Sequence, residues 1–93
     1  MTWKFLQPRN LAVITVDRVI AGGNPVLYVS HDEDDGGWQF LDGAAVAVAD
    51  ARIAALGELV DSDPTLAELA DLPEGFVASR ITKGDTWVRA RRS

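Results

Sequence analysis

The sequence predicts an α+β fold, a five-stranded, mainly antiparallel sheet with two short helices packed on one face. Three observations lead there. Apolar runs of strand length, rich in β-branched and aromatic residues, occur toward both ends of the chain. Turn formers separate them, as in Gly22-Gly23-Asn24-Pro25 and Lys83-Gly84-Asp85. Between them the apolar spacing changes to helical, with Ile53, Leu56 and Val60 on one stripe.

Leu11 to Ile20, LAVITVDRVI, is the first predicted strand, its imperfect alternation matching burial on both faces for part of its length. Ala21 to Pro25 turns the chain, and Pro25 to Ser30 forms a second strand around VLYV. His31 to Gly37 reads as a polar loop, HDEDDGG. Trp38 to Leu41 is the third strand, with Trp38 and Phe40 on one face, and Asp42-Gly43 makes the next turn. From Ala44 the chain is alanine-rich, and a helix is expected to run to about Asp61, weakened by Gly57. Asp63-Pro64 starts a second helix, with Asp63 as N-cap and Pro64 at the first helical position. Leu66, Leu69 and Ala70 supply its apolar stripe, and Pro73-Glu74-Gly75 ends it. Phe76 to Ile81 and Thr86 to Arg89 form a closing hairpin. The expected order is β-β-β-α-α-β-β.

Ninety-three residues suit a single domain spanning 1–93. The apolar fraction of 47% is enough for a packed core. With no cysteine, disulfides and thiolate metal sites are excluded. The N-terminus, with one lysine and no long apolar stretch after it, does not read as a secretion signal. The alanine- and valine-rich stretch Gly43 to Ala49 is too short for a bilayer, so the expectation is a cytoplasmic protein without membrane contact. Charge is distributed unevenly. Residues 1–10 carry +2, residues 11–75 carry −11, and residues 76–93 carry +4. The acidic middle repels a nucleic-acid backbone, and three arginines at one end are more often solvated, so no nucleic-acid partner is expected.

The most conspicuous cluster is Asp32, Glu33, Asp34 and Asp35 beside His31. Counted as a calcium loop from Asp32, it places Gly36 at position 5 and Gly43 at position 12, where a bidentate glutamate belongs. It is not an EF-hand. A solvated loop that attracts basic partners is the better reading. His31 is the only histidine, so a multi-histidine zinc site is excluded. Ser30 and His31 adjoin in sequence, but on a strand their side chains point to opposite faces, which is poor geometry for a nucleophile and its base. Gly22 to Pro25 lacks the Lys-Ser/Thr and the glycine spacing of a phosphate loop. No cofactor, metal or catalytic residue is expected. Trp38 reads as core. Trp3 and Trp87, near the arginine-bearing termini, are either packed ends or interface anchors.

The segment Val29 to Gly43, VSHDEDDGGWQFLDG, followed by Asp50-Ala51-Arg52-Ile53 and Leu56-Gly57-Glu58-Leu59, resembles the DUF2185 family of small bacterial proteins, which is related to the predicted immunity-protein family Imm33. The shared pattern is an acidic loop running into Gly-Trp-x-Phe-x-x-Gly, then a short helix and the Asp63-Pro64 step, over about 13–80. Relatives often carry further acids after the glycine, where this chain has Ala44-Ala45. The resemblance implies a non-enzymatic protein that neutralises a toxin domain. The expected partner surface is Asp32, Glu33, Asp34 and Asp35, supported by Trp38, Phe40 and Gly43, with a basic toxin domain as the partner. A self-associating protein, such as a homodimer, and a small hydrolase using His31 with a separated carboxylate are the competing expectations.

Overall fold

A computed structural model describes residues 2–92. The chain forms an α+β fold around one six-stranded mixed sheet. Its strands are β1 (Ala12–Val16), β2 (Tyr28–His31), β3 (Trp38–Leu41), β4 (Ala51–Ala55), β5 (Phe76–Ser79) and β6 (Val88–Arg91). They lie in the order β4-β1-β3-β2-β5-β6. Every neighbouring pair is antiparallel except β1 with β3, which run parallel with Ile14 beside Gln39.

Alternation along the strands sorts side chains to two faces. Val13, Val29, Trp38, Phe40 and Ala78 point to one face and are buried. They pack with Phe5 and with Leu56, Leu59, Leu66, Leu69 and Leu72 in a single core cluster. Burying each leucine contributes roughly 1.5–3 kcal/mol. Those leucines come from helix α2 (Leu56–Ser62), a 3-10 helix at Pro64–Leu69 and the turn after it. Asp63 caps the 3-10 helix as its sequence suggests, its carboxylate accepting from the Thr65 N–H at 3.1 Å with Pro64 next in line.

The sheet has six strands rather than five, because the segment expected as one long helix from Ala44 divides. It forms a loop, a 3-10 turn at Val48–Asp50, strand β4 and only then α2. Alanine's helix preference loses to pairing. The outer edge of β1 is open, and β4 fills it over five residue pairs, Ala12 with Ala55 through Val16 with Ala51. Ile53 therefore sits on an edge strand, not on a helical stripe.

The first strand is shorter than expected. It stops at Val16, and Asp17–Ile20 forms one helical turn, α1. Arg18 in that turn clamps the loop after β3. It donates to both oxygens of Asp42, at 2.7 and 3.1 Å, and to Asp50 at 3.1 Å. The last strand lies two residues later than the Thr86–Arg89 expectation. Of the described residues, no helix is long and apolar enough to cross a membrane.

Candidate functional site

His31 was expected in the acidic loop, yet it is the last residue of β2 and is buried. Pairing decides this: His31 lies between Trp38 on β3 and Phe76 on β5. Its ring stacks on the Trp38 indole, with centroids 4.0 Å apart and planes 16° from parallel. Nδ1 is 2.7 Å from the Leu72 carbonyl oxygen. A carbonyl only accepts, so Nδ1 carries the proton. Nε2 is buried without a protein partner. Ser30 points to the opposite face of the same strand, and the hydrogen bond of His31 goes to backbone rather than to a carboxylate.

The acidic loop spans the tip of the β2–β3 hairpin. The Asp32 N–H donates to the Gly37 carbonyl at 2.7 Å, and Gly36 N–H donates back to Asp32 at 3.0 Å. Gly36 makes the turn at φ +72, a conformation glycine adopts without a Cβ penalty. Asp35 folds onto the loop by accepting from Gly37 N–H at 2.8 Å. Beneath it Trp38 and Phe40 are buried on the core face, with Phe5 edge-on to Trp38 at 5.4 Å. Gly43 closes β3 at φ +85.

Asp32 is half-buried and engaged on both oxygens, with Gln39 Nε2 at 2.9 Å and Arg92 Nη1 at 3.2 Å. Glu33, Asp34 and Asp35 are exposed and have no cation partner among the described residues. These residues border an open cleft of about 490 Å³ with Gln39, Gly75 and Arg92. Sequence reasoning missed the second contributor to this end of the molecule, the Pro73-Glu74-Gly75 turn. The Gly75 N–H donates to the His31 carbonyl at 2.7 Å, which ties that turn to the base of the loop. A Glu74 carboxylate oxygen lies 2.9 Å from where a Cβ at Gly36 would stand, and Glu33 comes as close as 3.3 Å to that position at Gly75. Glu74 thus adds a fifth carboxylate. No local signal placed it there, since its position depends on the pairing of β2 with β5.

Arg92 comes from the basic tail, which was read as solvated. It reaches the site because β6 pairs with β5, and its N–H donates to Gly75 at 2.8 Å. Among the described residues, no three of His, Asp or Glu converge as a metal site. The arrangement can present negative charge on a backbone fixed at several points.

Trp3 and Trp87 are both half-buried against the core. Trp3 donates its indole N–H to the Gln7 carbonyl at 2.7 Å, and the Arg9 guanidinium lies 4.9 Å from its ring centroid. Trp87 lies under Arg80, 4.0 Å from ring centroid to guanidinium carbon. They pack the ends of the chain. Comparison with protein-family models, with curated proteins and with solved structures found no match, so the resemblance carried by Val29 to Gly43 rests on its motif alone.

Proposed function

We propose that the chain is a non-enzymatic protein-binding module that docks a basic partner on the acidic end of its sheet. The observation that carries this reading is the group Glu33, Asp34 and Asp35 on a hairpin tip fixed by backbone hydrogen bonds, with Glu74 on the adjoining turn, all four exposed and without cation partners among the described residues. A preorganised patch of one sign steers a charged partner and loses little entropy on docking. Arg92 neutralises only Asp32 and leaves the outer carboxylates available. The resemblance to an immunity-protein family makes a toxin domain with a basic cleft the partner class of this proposal, the carboxylates standing where the phosphates of a nucleic acid would sit.

The test is affinity capture from lysate of the source organism, using the native chain and a variant with Asp32→Asn, Glu33→Gln, Asp34→Asn and Asp35→Asn. The expected result is a basic protein held stoichiometrically by the native chain, released by about 0.5 M salt, and not held by the variant. Association of the purified pair should slow in the variant and lose its salt dependence. A partner bound equally by both chains, at an on-rate unchanged at low salt, sinks the proposal.

A further inference from the structure

The face of the sheet turned away from the helices carries no charged strand side chain among the described residues. Ile14, Val16, Leu41, Ile53, Val77 and Val88 point there with alanines between them, Val16 being fully buried. Ser30, Gln39, Ser79 and the Tyr28 hydroxyl are the polar strand groups, and the Asp32–Arg92 ion pair, to which Gln39 donates, closes one end of the face. The charged residues of the edge strands, Arg52, Arg89 and Arg91, all alternate to the helix side. An antiparallel face meant for water ordinarily alternates with polar residues outward, and here that pattern is reversed. Ile53 is 69% exposed, Val88 65% and Ile14 40%.

We infer that this open face is covered by the same face of a second copy, giving a symmetric dimer with two sheets at its centre and helices outside. Area supports that occupant. Six strands about 4.8 Å apart and about 15 Å long cover roughly 400 Å² in projection, and side-chain relief brings the accessible surface to about 600–800 Å². A stable interface takes about 800 Å² from each partner. Charge supports it as well. Two chains of net charge −5 repel at a distance, and a face whose strands carry no charge and whose one end holds the mutually paired Asp32 and Arg92 is the surface on which close approach brings few like charges together. Shape agrees, because two copies of one twisted sheet share the same twist and stack in the aligned arrangement of sandwiches. A two-fold axis across the strands sends the two acidic hairpin tips to opposite ends, so that they do not meet.

The test is sedimentation equilibrium from about 1 to 200 µM, a range that brackets micromolar dimers. The native chain should sediment at twice the chain mass at the upper end. Ile53→Glu and Val88→Glu each place a charge inside the interface while replacing exposed side chains. Each should weaken dimerisation about 100-fold or more with an unchanged circular dichroism spectrum. Leu6→Glu, at a site 96% exposed beside the 3-10 helix, should dimerise like the native chain. A native monomer throughout the range overturns the inference and leaves the face to a different protein. A dimer that survives both face variants overturns it too, since it must then use another surface.

Discussion

Arg80 donates to the Asp63 carboxylate at 2.8 Å, and the two side chains are only 1% and 8% exposed. The remaining guanidinium donors are also engaged. They reach the Val26 carbonyl at 3.0 and 3.1 Å, Thr65 Oγ1 at 2.9 Å and the Lys83 carbonyl at 2.9 Å. The Trp87 ring lies against the guanidinium plane. One side chain, on the residue that follows β5, thus joins the segment before β2, the cap of the 3-10 helix and the turn before β6. Burial works against the Asp63 charge, but hydrogen bonds from Thr65 and Arg80 outweigh it and hold the carboxyl below its ordinary value.

Arg80→Ala should therefore be among the most damaging single substitutions. It leaves Asp63 buried without its counter-charge and removes the donors to Val26 and Lys83. The expected loss is about 3–5 kcal/mol, a large part of the stability of a small domain. Urea unfolding at neutral pH measures it. A loss under about 1 kcal/mol contradicts the keystone role, because that is the scale of an exposed pair.

Stability should fall at acid pH. The Arg18 guanidinium holds the Asp42 carboxyl far below the usual carboxylate range, against the effect of burial, with help from Asn24. Asp63 is lowered as well. A carboxyl whose folded pKa is depressed contributes stability above its unfolded value, near 3.9, and loses it as pH falls toward the folded value. Stability should hold from pH 7 to about pH 5 and then decline steadily below about pH 4. In Asp42→Asn that decline should be shallower. An identical acid slope in both proteins shows that the Arg18–Asp42 contact has no part in it.

The single imidazole should be inert in the folded protein. Nε2 of His31 is buried, and Nδ1 is committed to Leu72. Diethyl pyrocarbonate should acylate it only after denaturation, read as the absorbance change of one modified histidine. Rapid modification of the native chain means an accessible imidazole and revives the hydrolase reading. Replacement by alanine should cost about 2–4 kcal/mol, through the lost stack on Trp38 and the orphaned Leu72 carbonyl.

The acidic hairpin tip was legible in the sequence as a position and a charge, because Asp32 to Asp35 announce both. Its full composition was not. Glu74 and Arg92 lie 39 and 57 residues or more from that run and arrive only through the β2–β5 and β5–β6 ladders.

Local chemistry by itself determined the Asp63-Pro64 helix start, the Gly43 turn, and the cores of β2, β3 and β5, with Trp38 and Phe40 on one buried face. Each follows from a few neighbouring residues: a cap oxygen, a fixed φ, a period of two. Only the tertiary structure decided that Ala51–Ala55 is a strand, that β1 runs parallel to β3, and that His31 is buried. In all three the deciding contacts are with strands distant in sequence, which no local stretch of residues contains. Alanine, arginine and isoleucine accept either backbone state at a cost below about 1 kcal/mol per residue, so a free edge on β1 and five ladder pairs outweigh the helical stripe. A histidine stacked on an indole, with its Nδ1 bonded to the distant Leu72 carbonyl, is buried although it stands beside four carboxylates in the sequence.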